Sequence, residues 1–226
     1  MSTLDQISGR QTSADIVFGQ LYDEIVSLSL LPGARISEVE VAKRFDLSRQ
    51  PIREAFGRLS RMGLIKVSPQ RPTVVRHFSL DDIQNARFIR TAIETDVVRK
   101  ACEERDTAVD PLLDACIEAQ HEAVADNDAD RFHTQDYEFH NLLCRSARAE
   151  FAFEQIAASK GQVDRLCMLS LTSQSSMEKL FNDHIAVLDA IRAGNDRKAD
   201  KALRRHLDRL SPTIAAVYEK HRSYFE

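Results

Sequence analysis

Four side chains in the later part of the chain have the types and spacing of metal ligands. Asp136 and His140 are four residues apart, so on a helix they project from one face. His184 lies in a later helical segment, and His206 follows it 22 residues on. Three imidazoles and a carboxylate suit a divalent ion, zinc first and nickel or manganese after it. Taken singly, each of these histidines reads as a surface or hydrogen-bonded residue. The set carries a metal reading only if the fold brings all four together.

A second group is suited to a polyanion. Ser48 is followed by Arg49 and Gln50, with Arg53 one turn on, at the start of a helical segment. Arg and Gln at the leading end of a helix can make bidentate contacts to guanine and adenine edges in a major groove. Ser48 and the helix N-terminus favour a phosphate oxygen. Gln70 and Arg71 sit between two β-like runs, where a ribbon tip can reach the minor groove or the backbone.

The charge distribution supports that division. The whole chain of 226 residues carries a formal −4, which taken alone argues against a nucleic-acid binder. By position the picture changes: residues 1–79 hold 11 basic and 8 acidic residues, and the remainder holds 20 and 27. Between Lys43 and Arg76 nine basic residues face two acidic ones. A basic first part on an acidic remainder points to a polyanion partner for the first part only.

The elements that must hold these groups are mostly helices. Ile16, Val17, Leu21, Ile25 and Val26 have helical spacing behind Ser13 as N-cap, and Pro32-Gly33 stops that run. Ser37 to Glu40 reads as a capping box opening a short helix through Phe45. After the tight Asp46-Leu47 connection, Ser48 caps a third helix with the stripe Ile52, Ala55, Phe56, Leu59 and Met62, ended by Gly63. Two β-like runs, 64–67 and 73–75, form a two-stranded wing. From Ser79 on, the pattern predicts helices near 80–105, 111–126, 129–147, 150–171, 176–193 and 197–221, with a kink or restart at Ser211-Pro212. The expected fold is mainly α: a winged helix-turn-helix of three helices and a two-stranded wing over residues 1–78, then an all-α antiparallel bundle over 79–226.

Other classes drop out. No apolar run approaches the roughly 18 residues of a membrane span, and the polar start lacks a signal-peptide core, so a cytoplasmic protein is expected. Cys102, Cys116, Cys144 and Cys167 are widely spaced within apolar segments and read as reduced, buried thiols.

The run Leu31-Pro32-Gly33, Ser37-Glu38, Val41-Ala42, Leu47 to Ala55, Leu59, Gly63-Leu64-Ile65 and Pro69-Gln70-Arg71 resembles the DNA-binding domain of GntR-superfamily regulators. That resemblance implies operator contacts by Ser48, Arg49, Gln50 and Arg53, with Gln70 and Arg71 at the wing tip. Many relatives have Gly after the wing arginine, where this chain has Pro72. The segments Asp136 to Leu143, Asp183 to Gly194 and Arg205-His206-Leu207 resemble the FCD effector domain of the FadR-like branch. The resemblance implies that Asp136, His140, His184 and His206 hold a divalent metal. It implies further that Arg90 helps neutralise an effector, with Glu94 orienting Arg90 and Arg165 a further candidate for the pocket. Four protein ligands leave one or two positions open to a small carboxylate or hydroxy-acid effector. His121 and His133 match no ligand position, although His133 shares the Asp136 face and can act behind the ligands.

The expected activity is ligand-responsive regulation of transcription, as a repressor, by a homodimer on a pseudo-palindromic operator. The expectation includes no catalysis. Two alternatives are a metal-dependent hydrolase with an accessory nucleic-acid-binding domain and a regulator that senses the ion itself.

Overall fold

A computed structural model describes residues 12–68, 71–171 and 174–226. Ten α-helices and a small sheet make up the regular structure of the described residues. The N-terminal head contains α1 (Ser13–Val26), β1 (Arg35–Ile36), α2 (Glu38–Phe45), α3 (Arg49–Arg61), β2 (Ile65–Lys66) and β3 (Thr73–Val75). The bundle contains α4 (Leu80–Glu104), α5 (Asp110–Ala125), α6 (Ala129–Ser146), α7 (Glu150–Ser170), α8 (Gln174–Arg192), α9 (Asp196–Asp208) and α10 (Leu210–Lys220).

Each helix start has a local cause. Thr12, rather than Ser13, caps α1: its hydroxyl accepts from the Asp15 amide while the Asp15 carboxylate accepts from the Thr12 amide. The Thr12 bonds and Arg58 hold the Asp15 carboxyl down at about 2. Ser37 occupies the N-cap position of α2 but makes no capping bond with its side chain, so the expected capping box does not form. Ser48 likewise caps α3 by position only, and its hydroxyl makes no capping bond. Ser79 accepts from the Asp82 amide at the start of α4, and Pro111 sits in the first turn of α5.

Two differences from the sequence pattern matter. The sheet has three strands in the order β1-β3-β2, both pairs antiparallel, where two strands were expected. At two residues β1 is too short to show a period, and Gly33 (φ +82°) delivers the chain to it in a conformation that favours glycine. The predicted 197–221 helix is two helices broken at Arg209. The restart falls just before Ser211-Pro212, leaving Pro212 in the first turn of α10, where its missing N–H costs nothing.

The head has its own core of Val17, Phe18, Leu21, Ile25, Ile52, Phe56, Leu59 and Ile65. In the bundle, α5 packs on α6, α8 on α9, and α4 on α7 and α9, around Val98, Leu113, Phe139, Leu143, Val187, Ile191 and Leu203. A C-terminal strap ties the connection between the two parts. The Phe78 amide donates to the Tyr224 carbonyl (2.7 Å), the Glu226 amide donates to the Phe78 carbonyl (3.0 Å), and Arg76 pairs with both Asp82 and Glu226. The four cysteines are free thiols. Burial pushes those of Cys116 and Cys144 up to about 12, while Cys102 and Cys167 are only half-buried.

Candidate metal centre

The bundle brings Asp136, His140, His184 and His206 together, all buried, with one ligand atom of each within 4.8 Å of the others. They come from α6, α8 and α9. His140 Nε2 lies 3.1 Å from His206 Nε2, His184 Nε2 lies 3.4 Å from Asp136 Oδ1, and Asp136 Oδ1 is 3.9 Å from His140 Nε2 and 4.0 Å from His206 Nε2. With bonds of about 2.1 Å, adjacent ligands of one ion stand about 3.0–3.4 Å apart and opposed ones about 4.2 Å. The observed separations fall in that span.

The hydrogen bonds behind the ligands set which nitrogen faces inward. Gln120, on α5, donates through Nε2 to the Gln135 carbonyl (3.3 Å), which leaves its Oε1 to accept from His184 Nδ1 at 2.7 Å. On α4, Glu94 places Oε2 2.6 Å from His140 Nδ1. A carboxylate can only accept, so this close contact favours the tautomer of His140 with its proton on Nδ1. Both rings therefore present the Nε2 lone pair to the centre, as ligating imidazoles do. His206 has no partner at Nδ1 among the described residues. Burial holds the pKa of His184 below the ordinary histidine value, and burial with His184 and His140 alongside pushes His206 further down. Both are neutral at neutral pH, the form a metal requires. The donor set fits a divalent ion.

Arg90 stands beside this centre. Its Nε donates to Glu94 Oε1 at 2.7 Å and its Nη2 lies 3.4 Å from His140 Nε2. Burial would neutralise both partners, yet the guanidinium and the His140 ring keep the Glu94 carboxyl well below its usual range, and Glu94 in turn keeps Arg90 charged. Arg90, His133, Asp136 and His206 line a cavity of about 250 Å³, together with Lys179 and Thr213.

The remaining predicted residues divide. Arg165 is not among the residues lining that cavity. Its guanidinium lies 4.3 Å over the Phe78 ring and its Nη1 donates to the Arg76 carbonyl (2.8 Å), so it clamps the connection between head and bundle. Burial and the neighbouring Arg76 lower its pKa to about 10. The His121 ring lies tilted against that of Phe181, and His121 is not part of the four-residue cluster. Ser48, Arg49, Gln50 and Arg53 are all exposed at the leading end of α3, with Arg53 paired to Glu38 at 3.4 Å. Arg71 is exposed, and Gln70 lies outside the described residues. Arg58 turns back to Asp15 and the Phe18 ring and serves the head's own packing. Gln120 went unread in the sequence because a glutamine is not a ligand type. Only its i, i+4 step from Cys116 on an apolar helix face marked it as inward-facing.

Residues 14–75 match the model of bacterial regulatory proteins of the gntR family, and residues 86–209 match the FCD domain. The HTH-type transcriptional repressor RspR of Escherichia coli (strain K12) is 31% identical over 225 residues, covering 100% of this chain and 99% of RspR. The chain belongs to the GntR family. It is a DNA-binding transcription regulator with an FCD effector domain, and its relatives are regulators rather than enzymes, which sets the hydrolase alternative aside. The HTH-type transcriptional regulator LutR of Bacillus subtilis (strain 168) is 22% identical, covering 85% of this chain and 96% of LutR. Among solved structures, E. coli McbR/YncC superposes with a TM-score of 0.78 at 18% identity, covering 94% of this chain and 100% of that one. A GntR regulator from Rhodococcus sp. RHA1 gives 0.74 at 24%, covering 91% and 99%. These two share the fold. No helix among the described residues is long and apolar enough to cross a membrane.

Proposed function

We propose that this regulator is a repressor that reads a pseudo-palindromic operator as a homodimer and releases it when a small carboxylate or hydroxy acid binds beside a divalent metal. In this reading residues 1–78 are the DNA-binding domain, residues 79–226 sense the effector and dimerise, and the protein works in the cytoplasm, where the chromosome is. The observation that carries the proposal is the convergence of Asp136, His140, His184 and His206 on one point, with Asp136 and His206 lining a cavity that Arg90 also lines.

The ion would be zinc first, with nickel or manganese as alternatives, held by those four residues and polarising an effector oxygen as a Lewis acid when bound. Arg90 would neutralise the effector's carboxylate, a role supported by the Glu94 carboxylate that contacts both Arg90 and the His140 ring. On the head, Arg49, Gln50 and Arg53 would meet base edges while Ser48 and the N-terminus of α3 meet phosphate, with Gln70 and Arg71 at the wing. Effector binding favours one arrangement of bundle and heads over another, and operator affinity falls by the difference.

The test is a three-way comparison of operator affinity, using metal-free protein, zinc-loaded protein, and zinc-loaded protein with a panel of hydroxy acids, after elemental analysis of the purified protein. The proposal expects a metal near one equivalent and weakened binding only with an acid present. Weakening by zinc alone would make the ion itself the signal. Unchanged operator binding by Arg49→Ala would remove α3 as the reading helix.

A further inference from the structure

We propose that the buried chain Tyr22–Asp164–His133 is the link by which occupancy of the metal cavity reaches the DNA-reading head; this rests on the metal-cavity reading above. Each residue belongs to a different element. Tyr22 is on α1 of the head, Asp164 on α7, and His133 on α6, one turn before the ligand Asp136. The Tyr22 hydroxyl donates to Asp164 Oδ2 at 2.6 Å, and His133 Nε2 lies 3.6 Å from Asp164 Oδ1. The Asp164 side chain has no solvent exposure. A carboxylate so placed leans on its polar neighbours, because water cannot replace them. One oxygen faces the head and the other faces the helix that carries metal ligands.

The surroundings fit a link better than a passive core contact. His133 lines the metal cavity on one side. On its other side it lines a second cavity of about 400 Å³ between head and bundle, together with Phe18, Tyr22, Met62 and Tyr137. An occupant that displaces the His133 ring from the first cavity therefore moves a group that borders the head. The head also rests on α7 without slack three residues before Asp164. At Gly161 an added Cβ would stand 3.1 Å from the Met62 carbonyl and 3.3 Å from the Leu64 side chain. With the Met62 backbone this near Gly161, a small shift or rotation of α7 presses on the turn after α3 directly as well as through the Leu64 side chain. The polar chain sets which position α7 and α6 share, and the tight contact carries that position into the turn after α3.

The test uses the full chain with zinc alone as probe, read by amide hydrogen exchange segment by segment. In the wild-type protein, zinc is expected to slow exchange in α6 and α9, which carry ligands, and to change it in α1, which carries none. Tyr22→Phe removes one hydroxyl and keeps the ring. It is expected to leave zinc affinity and the α6 and α9 response unchanged and to abolish the response in α1. Asp164→Asn, which removes the charge facing His133, is expected to give the same split. An α1 response in Tyr22→Phe equal to wild type would overturn the link. So would a silent α1 in the wild type while α6 and α9 respond, with the metal reading intact. Silence in α6 and α9 as well would overturn the metal reading and the link together.

Discussion

Replacing Glu94 with Gln tests the centre through a residue that is not a ligand. One carboxylate serves two groups: Oε1 accepts from Arg90 at 2.7 Å and Oε2 stands 2.6 Å from His140 Nδ1. Gln keeps the shape but turns one terminal atom into a donor. Facing His140, that donor demands a bare Nδ1 and moves the ring proton to Nε2, where it blocks ligation. Facing Arg90, it sets donor against donor. In both cases the guanidinium, 3.4 Å from His140 Nε2, loses its counter-charge beside a cation site. Losing the group that orients a ligating histidine costs about 10–100-fold in metal affinity, and the uncompensated charge on Arg90 places this variant near 100-fold. Breaking a buried ion pair costs about 3–5 kcal/mol of folding stability, which for a chain of this size lowers Tm by roughly 6–20 °C. A chromophoric chelator in competition for zinc reads the first effect and a melt of metal-free protein reads the second. Zinc affinity in Glu94→Gln equal to wild type would refute the assignment of the His140 tautomer and, with it, the orientation of the whole centre.

Other consequences can be measured on the same material. Gly161→Ala forces a Cβ toward the Met62 carbonyl, so it is expected to loosen the head on α7, raising amide exchange in α1 and α3 while zinc affinity holds. Metal-free protein is expected to lose stability as pH falls below about 6.5: the unfolded chain protonates its imidazoles there, while folded His184 and His206 stay neutral, so the unfolded state binds more protons. The stability they lend is complete above that pH and is lost as pH drops toward their lowered folded values; a flat Tm from neutral to mildly acid pH would contradict this. Stripping zinc with a chelator removes a stabilisation of about 4 kcal/mol at 1,000 times Kd, read as a drop in Tm that added zinc restores. The slope of operator affinity against salt is expected to shrink by about one unit in Arg71→Ala if that side chain meets a phosphate, and to stay unchanged if it does not.

The sequence showed the helices and the four side chains that cluster, because both rest on period and residue type. Asp136 and His140 announce themselves at i, i+4, and α4 through α8 follow apolar stripes, with Ser79 capping α4 and Pro111 in the first turn of α5. What stayed hidden depends on partners distant in the chain. The pairing of β1 with β3 joins Arg35 to Val74, and two residues carry no pattern for it. Arg165 shares its residue type with effector-binding arginines, and only the packing of Phe78 on α7 turns it toward the linker instead. The role of Glu94 was half legible: its i, i+4 step from Arg90 predicted the ion pair, whereas the His140 contact requires α4 to lie against α6. Gln120 and the Tyr22–Asp164 bond were beyond reach, because 64 and 142 residues of chain separate the partners.

The placement of the four clustered side chains bears on how the proposed site would signal. They come from α6, α8 and α9, and their supporting side chains come from α4 and α5, so five helices meet at one point through rigid hydrogen-bonded groups. Asp183, next to the ligand His184, accepts from both Arg205 and Arg209 and so locks α8 to the break between α9 and α10. That break forms part of the cavity wall, through Arg209, Leu210 and Pro212. A ligand that drew Asp136 closer than its present 4.0 Å from His206 by moving the backbone would shift α6 against α9. Shifts of a fraction of an ångström suffice when packed helices have discrete arrangements rather than a continuum. The first residue such a shift of α6 would carry toward the head is His133, one turn away from the ligand that moved.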